Sequence, residues 1–142
     1  MKKLLMSLIV LVSLNIYAQS ADDKKAVEKA ILNYVEAFYE ADTSKAYESV
    51  APYIAKRGYY TQNGEPRETT MSFEQLVNLS KRWKQNQNIT ADTSKKITVF
   101  EILDKTASAK VEAKWGIDYF HLGKVNGKWM IINVLWQEHP RN

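Results

Sequence analysis

The sequence predicts an α+β domain in which three N-terminal helices pack on a curved antiparallel sheet. In the first half of the chain apolar residues recur at helical spacing, whereas in the second half they alternate with polar residues as in a half-buried strand. Asn-Gly pairs stand at positions 63–64 and 126–127. This dipeptide is typical of two-residue hairpin turns, so we expect two β-hairpins around these positions.

The first residues have the pattern of a secretory signal peptide. Lys2 and Lys3 precede an apolar run over residues 4–17, and small residues follow at Ala18 and Ala21. A membrane anchor is the alternative, but a spanning helix needs about 20 apolar residues, more than this run provides. We expect cleavage after Ala18, or alternatively after Ala21. The mature protein would then be secreted or periplasmic, without a stable membrane anchor.

Composition limits what the mature chain can be. Residues 22–142 suffice for a single domain with a real core. The chain has no Cys, so thiol catalysis, disulfides and lipid attachment at a cysteine are excluded. Loss of Lys2 and Lys3 with the signal peptide takes two charges from the formal total of +4, and the remaining basic residues are interleaved with acidic ones. We therefore expect no nucleic-acid partner.

Three helices are predicted in the first half. The first is amphipathic and covers about residues 22–41, with acidic residues at its start. The segment Asp42-Thr43-Ser44 ends it and caps a short helix over about residues 45–50, which Pro52 terminates. A capping box opens the third helix, over about residues 72–84.

Strands dominate the rest of the chain. The hairpin around the first Asn-Gly pair should be peripheral, because Pro66 cannot donate to a neighbouring strand. A polar loop over residues 85–96 separates the third helix from a C-terminal antiparallel meander. The predicted strands cover residues 57–62, 67–71, 97–103, 107–115, 117–125 and 128–137.

This order of elements, with three segments of the second half, resembles the nuclear transport factor 2-like superfamily and its putative lumazine-binding subgroup. The segments are residues 106–115, 118–122 and 126–133, and the most specific parts are Asp118-Tyr119 and the Gly-x-Trp-x-Ile-x-Asn run from Gly127 to Asn133. The resemblance implies a cone-shaped fold whose concave sheet face and first helix enclose a pocket. Relatives often carry His-Pro where this chain has Ala51-Pro52.

Two titratable residues are candidates for a general base, Asp118 and His121. If the buried alternation that begins at Ala107 continues into the next strand, His121 faces inward; a bulge at Gly116 would turn Asp118 inward instead. Histidine is the commonest base near neutral pH. The resemblance suggests a buried carboxylate of raised pKa, as in isomerases and dehydratases of this fold. A purely structural role is the alternative for both residues.

Aromatic side chains would suit a cavity for a flat hydrophobic ligand, although plain core packing would explain them as well. The candidate ligand-binding residues are Tyr34, Tyr60, Trp83, Trp115, Tyr119 and Asn133, with Asn133 proposed to bind a carbonyl or amide edge. The two His residues stand far apart and no Cys is present, so we expect no metal site. We also expect no cofactor.

Three functions remain open at this point. The first is a small-molecule-binding domain with no catalytic role, and the second is a cofactor-independent isomerase, dehydratase or cyclase that uses Asp118 or His121. The third is a homodimeric association module, because strict alternation makes both faces of the last strand apolar. One face would carry Ile131 and Leu135, and the other Met130, Ile132, Val134 and Trp136.

Overall fold

Three helices precede most of a six-stranded sheet. The structure, a computed structural model, describes the backbone of residues 2–140 and the side chains of residues 21–85 and 87–140. The first helix, α1, spans Lys2–Tyr39, so helical backbone continues N-terminally past the start expected at Asp22. The predicted signal peptide, residues 1–18, lies outside the residues whose side chains are described.

The two shorter helices begin at the caps that the sequence predicts. Helix α2 spans Thr43–Ser49, and the Asp42 carboxylate accepts a hydrogen bond from the Ser44 backbone N–H at 3.0 Å. Helix α3 spans Phe73–Trp83. Its capping box is confirmed: Ser72 Oγ accepts from the Gln75 N–H at 3.2 Å, and Gln75 Oε1 accepts from the Ser72 N–H at 2.8 Å.

The strands form one sheet in the order β2-β1-β6-β5-β4-β3. All neighbouring strands are antiparallel except β1 and β6, which pair in parallel. These two are the first and the last strands along the chain. Strand β1 starts well before the predicted residue 57. The strands are β1 Val50–Gln62, β2 Glu65–Met71, β3 Lys95–Ile102, β4 Thr106–Ala113, β5 Gly116–Val125 and β6 Lys128–Gln137.

Both Asn-Gly turns are confirmed. Asn63 and Gly64 have φ values of 54° and 83°, and Asn126 and Gly127 have values of 50° and 79°. A turn with positive φ at both central residues matches the twist of the flanking strands, which is why this dipeptide marks the β1–β2 and β5–β6 hairpins. Strand β2 lies at the edge of the sheet, as Pro66 predicts.

The buried alternation of β4 ends at Ala113 because the chain reverses there. Ala113 pairs with Gly116, so Lys114 and Trp115 form a two-residue turn and do not extend the strand as predicted. Gly116 has φ +140°, and a Cβ there would lie 2.0 Å from the Gln137 carbonyl oxygen. The turn resets the alternation of β5.

Of the two alternatives for β5, the structure has Asp118 facing inward. Asp118 is fully buried, as are Phe120 and Leu122. Tyr119 and His121 lie on the outer face and are exposed. The cause is the hairpin turn before Gly116 and not a bulge within a continuous strand.

A bulge in β6 makes the predicted faces of that strand wrong. His121 pairs with Asn133 and Leu122 with Ile131, so Ile132 is an extra residue between them. The bulge changes the side-chain phase from there to the end of the strand. The inner face consequently carries Trp129, Ile131, Val134 and Trp136, while Asn133 and Leu135 lie on the outer face.

Helix α1 covers the inner face of the sheet. Val27, Ile31 and Val35 recur every four residues on α1 and are fully buried in one core cluster with Phe120 and Leu122 of β5. In the described part of the chain, no helix combines the length and apolar character needed to cross a membrane.

Candidate functional site

A cavity of about 290 Å³ lies between α1, α3 and the inner face of the sheet. Its lining is mainly apolar, and the aromatic residues that line it are Tyr34, Phe38, Trp83, Trp115 and Trp136. Pockets that bury small ligands are usually apolar with a few placed polar groups. The polar groups of this cavity therefore decide what it can hold.

Strand register brings distant residues to the cavity floor. Lys56 of β1 pairs with Met71 of β2 and Val134 of β6, and in the next inward row Gly58 pairs with Thr69 and Trp136. Trp136 in turn pairs with Asp118 of β5. Inward rows on a sheet contain every second residue of each strand, so Lys56 and Gly58 share one face.

Asp118 is the centre of a buried hydrogen-bond network at the cavity wall. Its Oδ1 accepts from Lys56 Nζ at 3.0 Å and from the Tyr34 hydroxyl at 3.3 Å. Its Oδ2 accepts from the indole N–H of Trp115. All three donors line the cavity, and the carboxylate lies behind them. Asp118 therefore fixes the positions of three wall residues and compensates the Lys56 charge.

Lys56 and Tyr34 are also bonded to each other. Lys56 Nζ donates to the Tyr34 oxygen at 2.6 Å and lies 5.3 Å from the centre of the ring. Burial raises the pKa of Tyr34 well above its usual value, and the negative charge of Asp118 raises it further. Tyr34 thus remains a protonated phenol, and its proton is directed at Asp118.

An aromatic cluster closes the α3 end of the cavity. The Trp115 ring lies edge-on to Trp83 with centroids 5.1 Å apart, and Tyr39 stacks on Trp83 at 5.7 Å. The Tyr39 hydroxyl donates to the Ser94 carbonyl at 2.6 Å and accepts from the Lys114 N–H at 2.8 Å. These bonds hold α1 against the β4–β5 turn that carries Trp115.

The structure brings some predicted site residues together and separates others. Tyr34, Trp83 and Trp115 line the cavity, and Asp118 lies behind its wall. Tyr60 adjoins Trp136 with ring centroids 6.3 Å apart, but it borders a separate, more open groove with residues of β2 and the C-terminal segment.

The remaining predicted residues lie on the outer face of the sheet. His121 Nδ1 is 3.2 Å from Asn133 Nδ2 across the β5–β6 pair. Tyr119 is 44% exposed on the same face. None of these three lines the cavity between the helices and the sheet, so His121 is not placed to act on a ligand held there.

Sequence reasoning missed Lys56, Gly58 and Trp136. Lys56 precedes the strand predicted over residues 57–62, and Gly58 is its second residue. Side chains alternate along a strand, so both residues share the face of Tyr60, which the sequence analysis expects to point inward. Strict alternation puts Trp136 on the face opposite Ile131, because nothing in the sequence marks the bulge at Ile132.

This arrangement suits hydrogen-bond donation to a ligand better than proton abstraction. Three donors bond to Asp118, and its carboxylate is fully buried behind the residues that line the cavity, so it is not placed to take a proton from a ligand held there. Within residues 21–140 apart from residue 86, no group of three or more His, Asp or Glu side chains could hold a metal ion.

Comparisons with known proteins agree with this architecture. The family described as "Putative lumazine-binding" matches residues 22–137. No curated protein sequence is similar enough to count as a match.

Several solved structures have the same fold as this chain, although their sequence identity to it is low. A nuclear transport factor 2-like protein of unknown function from Silicibacter pomeroyi is 15% identical, with a TM-score of 0.66 over 84% of this chain and 98% of that one. Similar proteins from Shewanella baltica (17% identity, TM-score 0.66, 85% and 97% coverage) and Methylobacillus flagellatus (20%, 0.64, 84% and 94%) share it. A Nostoc punctiforme neighbour is described as having a cystatin-like fold. The chain therefore belongs to the putative lumazine-binding family and has the nuclear transport factor 2-like cone fold.

Proposed function

We propose that this protein binds a flat, mainly apolar small molecule in the cavity between α1, α3 and the sheet, and that it does so without catalysis. The observation that carries the proposal is Lys56, whose side chain is only 10% exposed and is held at an aromatic cavity wall by Asp118 and Tyr34. A buried ammonium costs free energy even when paired. Its position beside an open cavity supports a role in binding.

The cavity volume restricts the size of the ligand. About 290 Å³ is at the lower end of the range for small-molecule pockets. A bicyclic heteroaromatic ring fits this size and could stack or pack edge-on against Trp83 and Trp115. The family description supports the same class, since lumazine is such a molecule.

Titration of the purified protein with lumazine, chromone and quinoline tests the proposal. Trp83, Trp115 and Trp136 line the cavity, so their fluorescence should change with a saturable dependence on ligand concentration. Calorimetry then gives the dissociation constant without relying on fluorescence. No saturable binding by any of the three compounds would contradict the proposal.

A cavity-filling variant locates the binding. Met71→Trp puts a large ring on the β2 wall of the cavity, and we expect it to weaken the calorimetric affinity at least about tenfold, or about 1.4 kcal/mol. Leu103→Trp is the matched control, because Leu103 is 53% exposed just after β3. Equal affinities of the two variants would place the ligand elsewhere.

We also propose that the protein acts outside the cytoplasm. The support is the basic start at Lys2-Lys3, the apolar run over residues 4–17 and the small residues after it. Expression of the full chain in a bacterium, followed by fractionation and mass determination, should yield a product that begins after Ala18 or Ala21. Recovery of only the uncleaved chain in the cytoplasm would contradict export.

A homodimer through the outer face of the sheet is a second proposal. Phe100, Tyr119 and Leu135 are 54%, 44% and 46% exposed there. Phe100 and Tyr119 stack with centroids 6.4 Å apart, and Tyr119 pairs with Leu135. Face-to-face pairing about a two-fold axis would bury this patch.

Light scattering at micromolar concentration tests the pairing. Since Trp136 faces inward, a variant there would disturb the cavity, so the informative change is Tyr119→Glu combined with Leu135→Glu. We expect a dimeric mass for the unchanged protein and a monomeric mass for this variant. Tyr47→Glu is the control, because Tyr47 is 61% exposed on α2. A monomer in all three samples would contradict the dimer.

A further inference from the structure

Gly58 lies against the Trp136 ring on the sheet side of the cavity. The two residues pair across β1 and β6, and both line the cavity. A Cβ at Gly58 would lie 2.3 Å from Cε3 of the indole and 3.0 Å from Cζ3. Carbon atoms in contact are about 3.5–4.0 Å apart, so a side chain at this position would force the ring away from β1 by about 1 Å or more.

The backbone at residue 58 does not itself require glycine. The glycines with positive φ are Gly64, Gly116 and Gly127, whereas Gly58 lies within the regular pairing of β1 with its two neighbouring strands. A glycine in the interior of a strand weakens it and often marks a place where another group approaches closely. The group that approaches here is the indole of Trp136, so the ring accounts for the glycine.

Neighbouring groups close the other directions in which the ring could move. On the β2 side, Thr69 Cγ2 lies 3.2 Å from the same Cβ position. Tyr60, two residues further along β1, packs against the ring with centroids 6.3 Å apart. At the edge of the indole opposite Cε3, Nε1 is inaccessible to solvent and therefore enclosed by other atoms. The side of the ring that remains open is the one that lines the cavity.

We infer that Gly58 is a specificity-determining residue of the proposed binding site. Without a side chain at this position the Trp136 ring rests against β1, and the cavity keeps the volume that a ligand of two fused rings needs. With a side chain there, the ring would occupy part of a cavity of only about 290 Å³. This inference rests on the proposed function and identifies what limits the size of the ligand in the same cavity.

Calorimetry of Gly58→Ala with lumazine, chromone and quinoline tests the inference. We expect each compound that binds the unchanged protein to bind this variant at least about tenfold more weakly, because the displaced ring takes up room that the ligand requires. Gly123→Ala is the matched control on β5. A Cβ at Gly123 would meet Ile132 at 3.5 Å, an ordinary contact, and this glycine is not among the residues that line the cavity. The control should keep the affinity within about twofold.

A second substitution separates displacement of the ring from general damage to the protein. Trp136→Leu removes Cε3 and Cζ3, the two atoms that a Cβ at residue 58 would strike. In a protein that already carries Trp136→Leu, adding Gly58→Ala should therefore weaken binding by less than about twofold. A tenfold loss in both backgrounds would overturn the inference and leave the proposed function intact.

A measurement on the unchanged protein covers variants that do not fold or do not bind. NOE cross peaks between Hε3 of Trp136 and the Hα protons of Gly58 should be present in the free protein. They should persist when the tightest-binding of the three compounds is saturating. Absence of these cross peaks in either state would overturn the inference, as would equal affinities of Gly58→Ala and Gly123→Ala. Binding of none of the three compounds to the unchanged protein would overturn both the inference and the proposed function.

Discussion

At the scale of single residues, the cavity wall depends on an ion pair that sequence patterns do not mark. Lys56 and Asp118 are 62 positions apart in the chain and meet at 3.0 Å with side chains 10% and 0% exposed. Removing one partner of such a pair leaves an uncompensated charge in the interior, which is more costly than removing both. The pair should therefore behave as a unit.

We expect Lys56→Met to lower the free energy of unfolding by about 3 kcal/mol, as measured by urea denaturation. The double variant Lys56→Met with Asp118→Asn should lose less than the sum of the two single variants. Arg57→Met is the control on the same strand. The side chains of Arg57 and Glu68 lie 3.9 Å apart and are 66% and 51% exposed, so their interaction should contribute under about 1 kcal/mol to stability. Additive losses in the double variant would show that the two groups do not interact.

At the scale of elements, one carboxylate fixes α1 to the β5–β6 hairpin. Asp23 accepts from Lys124 Nζ, which lies 2.7 Å from Oδ1 and 2.9 Å from Oδ2, and from the indole N–H of Trp129 at 2.9 Å. The hydrogen bond from Lys124, followed by that from Trp129, lowers the pKa of Asp23 below its usual value. The contact joins residues more than a hundred positions apart and fixes α1 to the turn end of the β5–β6 hairpin.

This lowered pKa gives the contact a pH dependence. The ionised form is favoured by folding, so its contribution to stability is present above the unfolded pKa of about 3.8 and is lost as the pH falls below it. We expect Asp23→Asn to be about 1 kcal/mol less stable than the unchanged protein at pH 7. The difference should shrink on acidification from about pH 4 to pH 2.

Asp22→Asn is the control, because Asp22 is the exposed neighbour on the same helix. It should stay within about 0.5 kcal/mol of the unchanged protein. A stability gap between Asp23→Asn and the unchanged protein that is the same at pH 7 and pH 2.5 would contradict this account.

Elements were more predictable than the faces they present. Local sequence is enough to identify the helix caps and the hairpin turns, because each of them forms between neighbouring residues. The caps are Asp42 and Ser72, and the turns are the two Asn-Gly pairs. The side-chain phases of β5 and β6 depend on the turn at Lys114-Trp115 and the bulge at Ile132, and both arise from strand pairing across the sheet. This is why the sequence identifies Asp118 as a candidate but does not determine whether its side chain faces inward.

At the scale of the whole molecule, the cavity lies between two helices and a sheet that combines strands from the first and the second half of the chain. The parallel pairing of β1 with β6 brings Lys56 and Gly58 beside Val134 and Trp136, and no local pattern indicates it. The resemblance to the cone fold predicted a pocket between the first helix and the concave sheet. Among the polar groups of its wall, Tyr34 and Asp118 can be named from the sequence, whereas Lys56 follows only from the strand pairing.

The tryptophans of this chain permit a direct test of where a ligand binds. There are four of them, and Trp83, Trp115 and Trp136 line the cavity. Trp129 bonds to Asp23 and borders a separate groove beside residues 22–33 of α1, so it is an internal control.

The decisive measurement is ¹⁹F NMR of protein labelled with 5-fluorotryptophan, with each resonance assigned by a Trp→Phe substitution. Spectra are recorded without ligand and with saturating concentrations of lumazine, chromone and quinoline in turn. We expect the resonances of Trp83, Trp115 and Trp136 to shift while that of Trp129 does not. Shifts confined to Trp129, or no shift in any of the four resonances, would contradict ligand binding in this cavity.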